Sequence, residues 1–196
     1  MTRKLRAAVP IAVALCALVL PLIGILPPYW VTLFNYVGMA SLVALGLVLL
    51  TGVGGMTSFG QAAFVGFGAY ATALITLNYG LSPWLTLPMS IIVTAASAIL
   101  IGAVTVRLSG HFVPLGTIAW GIAFFYLFGN SVTLGRHDGL SGIPPLSIFG
   151  FALTDPEYYF IVVWLFVVGS CLLTRNLLDS RYGRSIRALR RNTIAA

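Results

Sequence analysis

Side chains able to do acid–base, nucleophilic or metal chemistry are scarce in this chain of 196 residues. It has four acidic residues, two histidines and two cysteines. Three of the acids lie within residues 130–157, where no neighbour of His137 and Asp138 completes a metal site or a Ser/His/Asp set. No Gly-x-x-x-x-Gly-Lys-Ser/Thr phosphate loop is present. We therefore expect no enzyme activity, no metal site and no cofactor held by the chain itself.

The remaining candidates for chemistry have structural explanations. His111 stands in a short turn without a second ligand nearby, so we expect no metal or proton role for it. Cys16 and Cys171 are far apart in sequence, and each is surrounded by apolar residues. We interpret both cysteines as small apolar side chains rather than as a disulfide or a metal pair.

A long uncharged stretch decides the class of protein. From Ala7 to Val106 the chain contains no Asp, Glu, Lys, Arg or His, whereas a soluble domain carries charge on about a quarter of its residues. Lipid is therefore the solvent of this stretch, and only helices or a closed barrel satisfy the backbone there. Runs such as Ser41–Leu50 do not alternate between polar and apolar residues, as barrel strands do. We predict an all-α, polytopic transmembrane helix bundle.

Proline, glycine and polar residues divide the chain into about six spans of about 20 residues each. The third of these spans is rich in glycine, so a broken or re-entrant helix is an alternative there. A cleaved signal peptide is an alternative for the first, although no small-x-small cleavage site follows it. The predicted spans are Ala7–Leu26, Val31–Leu50, Met56–Asn78, Leu85–Val106, Phe112–Gly129 and Tyr158–Thr174.

The basic residues predict which side each loop occupies. With six spans both ends lie in the cytoplasm, and ten of the eleven basic residues then lie there too. Only Arg136, in the loop of residues 130–157, is external. The formal net charge of +7 thus reflects membrane orientation, and we expect no nucleic-acid partner. The cytoplasmic residues are Arg3, Lys4, Arg6, Arg107, Arg175, Arg181, Arg184, Arg187, Arg190 and Arg191.

Small side chains recur every four residues at Gly54, Ser58, Ala62 and Gly66. On one continuous helix they would form a stripe that lets a second helix approach closely. Gln61 is the first amide within this span, and a polar group in hydrocarbon is expected to face protein or a water-filled path. The five residues are therefore candidates either for a translocation path or for plain helix packing.

The tail is a short basic amphipathic helix. Tyr182, Ile186 and Leu189 share one face, and Arg184 and Arg187 share another. Such a helix rests on anionic lipid or docks in a groove of a soluble partner. Both interpretations stay open on the residues alone.

Four blocks in the same order make the chain resemble permease subunits of ABC importers for branched-chain amino acids, the LivM-like group with its urea and short-amide relatives. The later blocks are Arg107–Gly110 with Thr117, Asp138–Pro144, and the tail from Gly183. Together the blocks cover about Ala44–Ala196. The positions that match in the first block are Gly52, Gly55, Ser58, Gly60, Gln61, Ala62, Ala63, Phe64, Gly66, Gly68, Ala69 and Tyr70.

The resemblance implies a single permease domain over residues 1–196, expected to be incomplete at its C-terminus, in the bacterial inner membrane. It implies a second permease subunit, cytoplasmic ATPase subunits that bind the ATP, and a periplasmic solute-binding protein, with the lipid bilayer around the spans. Residues 176–196 are the implied coupling segment that contacts the ATPase. The residues implied in that contact are Gly183, Arg184, Ile186, Arg187, Leu189 and Arg191.

The chain departs from the family pattern in ways that make the implied path more apolar. Val48, Met56 and Ile122 stand where relatives often carry polar residues, and Arg136 stands where glycine is usual. Thr193 replaces a usual Glu. An importer of urea or short amides, a passive channel, and a membrane assembly or anchoring protein remain the alternative functions.

Overall fold

The computed structural model describes residues 26–105, 107, 112–148 and 151–191. Helices dominate this part of the chain, and the all-α prediction is confirmed. A π-helical turn, Val48–Val53, continues the first helix, and two-residue strands β1 (Ser147–Ile148) and β2 (Phe151–Ala152) pair antiparallel in the long loop. The helices are α1 (Pro28–Leu47), α2 (Gln61–Tyr79), α3 (Pro83–Thr105), α4 (Phe112–Asn130), α5 (Pro156–Asp179) and α6 (Arg181–Arg191).

Five helices in the described residues are long and apolar enough to cross a membrane, α1 to α5. They correspond to the second to sixth predicted spans. The first predicted span, Ala7–Leu26, lies almost wholly outside the described residues, so the number of spans and the side of each terminus stay predictions.

Two helix ends differ from the predicted span limits. The third span was expected from Met56, but α2 begins at Gln61, because Gly55 has φ +71° and residues 55–60 are not helical. The sixth span was expected to end at Thr174, but α5 continues to Asp179. Residues 176–179 of the expected coupling segment therefore belong to α5, and its separate helix starts at Arg181.

The described residues bury an unusually large share of polar side chains for a folded protein and expose many large apolar ones. The buried polar residues are as many as the buried apolar ones, and they include Asn35, Thr76 and Thr86. Large apolar side chains such as Ile99 and Leu100, each 71% exposed, cover the outside. In lipid the hydrophobic effect does not favour association of helices. Polar and small residues are therefore expected at helix contacts, and large apolar residues on the surface that faces lipid. This distribution suits a hydrocarbon solvent.

The chain divides into two compact units. The first consists, among the described residues, of residues 26–45 and 153–181, which are α1 and α5. Asn35 of α1 donates from Nδ2 to the carbonyl oxygen of Pro156 at 3.0 Å. A Cβ placed on Gly38 would lie 2.5 Å from Cγ1 of Val163, so the Val163 side chain packs directly on the backbone of α1 there. The prediction of one membrane domain stays a prediction.

The second unit contains α2, α3 and α4. Gly80 ends α2 in the left-handed region, with φ +62°, which allows the tight turn into α3. The hydroxyls of Thr76 and Thr86 meet at 3.5 Å across this hairpin. Between α2 and α4, a Cβ on Gly66 would lie 2.5 Å from the Phe128 ring. Small and hydroxyl-bearing residues thus set the spacing of all three helices.

The loop after α4 is ordered by a few specific contacts. Trp84, in the first turn of α3, donates its indole N–H to the carbonyl oxygen of Ser147 in β1 at 2.8 Å. The ring of His137 lies over Gly129 at the end of α4. Arg136 has φ +54°, a conformation that glycine adopts more easily.

We predict that Gly38→Ala destabilises the first unit, because its methyl group would collide with Val163. Overpacking of this kind costs about 1–3 kcal/mol. Gly46→Ala in the same helix is the matched control, since a Cβ there meets nothing within 4 Å. Thermal unfolding in detergent measures both, and equal midpoints for the two variants would contradict the contact.

Candidate functional site

The chain between α1 and α2 leaves helical geometry within the second unit. After the π-helical turn, the amide of Gly54 donates to Leu49 O at 3.0 Å and that of Met56 donates to Leu50 O at 3.2 Å. A Cβ on Gly54 would lie 2.7 Å from Leu50 O, and Gly55 has φ +71°. Both positions therefore favour glycine, and together they let the chain leave the helical path while the amides of Gly54 and Met56 stay paired.

Thr117 of α4 fixes the end of this interruption. Its Oγ1 accepts the amide N–H of Phe59 at 3.1 Å and donates to Pro114 O at 2.8 Å. Gly60 packs directly behind it, since a Cβ there would lie 3.3 Å from Thr117 O. α2 begins one residue later, at Gln61. A single hydroxyl thus holds the non-helical segment against α4 and sets where α2 starts.

A cavity of about 220 Å³ lies beside this segment, between the start of α2, the second half of α3 and the first half of α4. Hydroxyls are the main polar groups of the lining side chains, and no lining residue is charged. The lining residues are Leu50, Met56, Thr57, Ser58, Gly60, Ala63, Phe64, Ala98, Ile101, Gly102, Thr105, Val113, Thr117, Trp120 and Phe124.

Aromatic rings of α4 form one wall of the cavity. Trp120 and Phe124 stack with centroids 5.7 Å apart and planes 18° from parallel. Phe67 of α2 then packs edge-on against Phe124 and Phe128, with centroid distances of 4.8 and 5.3 Å. Aromatic pairs with this geometry stabilise by about 0.5–1.5 kcal/mol beyond their burial. They join α2 to α4 at one end of the cavity.

The structure brings the predicted stripe together only in part. Gly54 and Ser58 precede α2, so they cannot share a helix face with Ala62 and Gly66, and the prediction of one continuous stripe is wrong. Of the five predicted residues, Ser58 lines the cavity. Gly66 contacts Phe128, Gln61 is half-buried and Ala62 is exposed. Their role in a path stays a prediction.

Several lining residues were not among the predicted site residues. Thr117 belongs to a block that matches the family, which was an available signal. No sequence signal identified three other lining residues, because their spacing is that of ordinary apolar helices. These are Gly102, Trp120 and Phe124. Among the residues that the structure describes, no group of three or more His, Cys, Asp or Glu could hold a metal ion.

The expected coupling segment forms α6 directly after α5. Ser180 joins the two helices in an extended conformation, and its hydroxyl donates to Leu177 O at 2.6 Å. Gly183 is buried, Ile186 is half-buried, and Arg184 and Arg187 are exposed. Leu189 and Arg191 lie on the last turns of the helix, and residues 192–196 are outside the described part.

Apolar helices, a small-residue interior and an uncharged cavity define a multi-pass membrane protein without an evident catalytic site in its described residues. The chain belongs to the family of branched-chain amino acid transport system permease components, whose family model matches residues 29–196. The family is one of transport permeases rather than enzymes. No solved structure matches the chain.

Two relatives carry the name high-affinity branched-chain amino acid transport system permease protein LivM, one from Salmonella typhimurium and one from Escherichia coli. Each is 30% identical over 178 residues, covering 79% of this chain. The chain spans 42% of the length of each relative.

We predict that Thr117→Val frees the segment before α2, because the amide of Phe59 loses its acceptor. Hydrogen bonds of this kind in membrane proteins average about 0.6 kcal/mol, so amide exchange at residues 59–60 should quicken about threefold. Thr117→Ser keeps the hydroxyl and should exchange like the wild type. Thr72→Val removes a bond within α2 alone and is a second control; the same exchange in all variants would contradict the role of Thr117.

Proposed function

We propose that the chain is a permease subunit of an ABC importer and forms part of the path by which branched-chain amino acids cross the bacterial inner membrane. The family match over residues 29–196 carries the proposal. Two relatives named for branched-chain amino acid transport support the solute class, and both come from bacteria with an inner membrane.

The energy for transport comes from partner subunits in this proposal. Cytoplasmic ATPase subunits bind and hydrolyse ATP, and the permease chain itself holds neither ATP nor another cofactor. A periplasmic solute-binding protein delivers the amino acid, and a second permease subunit completes the path. The bilayer covers the exposed apolar faces of α1 to α5, where side chains such as Leu165 and Leu173 are 63% and 71% exposed.

α6 is the proposed contact with the ATPase. It is basic, 11 residues long, and follows α5 after a single extended residue. The exposed Arg184 and Arg187 suit a partner with acidic residues, and Ile186 is half-buried.

The cavity supports transport of an uncharged or apolar group in preference to an ionic one. Its lining carries no charge that could offset the burial of an ion. Fine discrimination between solutes is therefore assigned mainly to the binding protein. The alternatives are an importer of urea or short amides, a passive channel and a membrane assembly protein.

Uptake into proteoliposomes tests the proposal. The chain is reconstituted with its partner permease and ATPase, and leucine uptake is measured with and without ATP and the binding protein. Uptake that needs both is the expected result. Uptake without ATP would indicate a channel, uptake of urea but not leucine would indicate the amide class, and no uptake of any solute would favour the assembly role.

We predict that single cysteines at Ile186 and Leu189 crosslink to the ATPase in the assembled complex. Both are introduced after Cys16→Ser and Cys171→Ser. Val132→Cys is the control, because this residue is 71% exposed in the loop expected on the external side. Absence of crosslinks at both positions of α6, together with labelling by lipid-soluble reagents, would show that α6 rests on the membrane instead.

A further inference from the structure

We infer that the 220 Å³ cavity is a subsite for the apolar side chain of the transported amino acid, and that Gly102 sets the largest side chain it accepts. The inference rests on the proposed function, and it adds a location within the chain and a residue that determines specificity. It concerns only the second unit, to which all lining residues belong.

Two of the hydroxyls that line the cavity are committed to the protein. The hydroxyl of Thr105 donates to Ile101 O at 2.7 Å, and that of Thr117 donates to Pro114 O at 2.8 Å. Thr117 also accepts the amide of Phe59. The rest of the wall is mostly aliphatic and aromatic. An ammonium or carboxylate placed here would lose its hydration without gaining a counter-charge, whereas a hydrocarbon group would lose nothing.

The size of the cavity suits a small occupant. One water molecule needs only about 10–15 Å³ of such space. A cavity of 220 Å³ is therefore large enough for an organic group. Sites for drug-sized ligands measure about 300–1,000 Å³, which is larger. An aliphatic side chain of three or four carbons falls within these limits.

The position of the cavity beside a broken helix supports a solute rather than a lipid chain. Irregular backbone within a membrane is tolerated where it is covered by protein or lines a cavity, and discontinuous helices form the solute sites of many transporters. Here the non-helical residues Met56, Thr57, Ser58 and Gly60 are themselves part of the wall. A solute in the cavity would therefore contact the segment that Thr117 holds in place.

Gly102 is the position from which the cavity can be filled without disturbing its walls. It lines the cavity, and a Cβ built on it meets no atom within 4 Å. A side chain there would occupy space that the solute uses. Gly169 of α5 is the matched control, because its Cβ also meets nothing within 4 Å and it is not a lining residue.

The first test measures the ratio of leucine to valine uptake in the reconstituted importer. Gly102→Val should lower this ratio about tenfold, the scale on which one methylene group is discriminated in an apolar pocket. Gly102→Ala should fall between the wild type and Gly102→Val, and it serves if the valine variant fails to assemble. Gly169→Val should leave the ratio unchanged. The preference of the binding protein is the same throughout and cancels; an unchanged ratio in both Gly102 variants would overturn the inference.

The second test needs no ATPase. Gly102→Cys, made with Cys16→Ser and Cys171→Ser, is labelled by a small thiol reagent in proteoliposomes. Leucine should slow labelling severalfold, whereas lysine, with its charged side chain, should not. Gly169→Cys should react equally with and without leucine.

The two proposals fail in different ways. Leucine uptake by the wild type without protection of Gly102→Cys would overturn the subsite, leave the importer standing and favour a lipid chain or protein as the occupant. Protection without ATP-driven uptake would support the subsite and overturn the importer. Loss of both would overturn both proposals.

Discussion

Every backbone polar group inside a membrane must find a partner within the protein, and the interruption between α1 and α2 depends on meeting that requirement. The π-helical turn keeps the amides of Gly54 and Met56 bonded to Leu49 and Leu50. Thr117 supplies the acceptor for Phe59 from another helix. These bonds pair part of the backbone where the chain leaves helical geometry, and the cavity lies beside this segment.

The same constraint explains why glycine and hydroxyl residues govern the packing. Large apolar side chains gain nothing by leaving lipid for the interior, so close approach and hydrogen bonds hold the helices together. Gly38 brings α1 against Val163, and Gly66 receives the Phe128 ring. Not every glycine makes such a contact: a Cβ on Gly102 would meet no atom within 4 Å, so this residue borders free space.

The helices and their order could be predicted from the sequence, because the length of an apolar segment and its helix-breaking residues are local signals. The start of α2 could not, since it depends on the conformation of Gly55 and on Thr117, which lies 58 residues beyond its partner Phe59. The cavity was missed for the same reason, as its walls come from three helices. The glycines of this segment did indicate a broken or re-entrant helix as an alternative, whereas the four-residue spacing favoured a stripe along one continuous helix.

The structure shows which of the expected departures from the family pattern lie at the cavity. Of the three apolar positions at which the resemblance implied a departure, Met56 lines the cavity, whereas Val48 and Ile122 are exposed. Only Met56 of these three therefore bears on what the cavity can hold. A thioether is flexible and apolar, so it adapts to aliphatic groups of differing shape without selecting among them. Selection by size must then come from a rigid position. Gly60 and Gly102 are the lining residues without a side chain to move, and of these Gly60 lies against Thr117 whereas Gly102 borders free space.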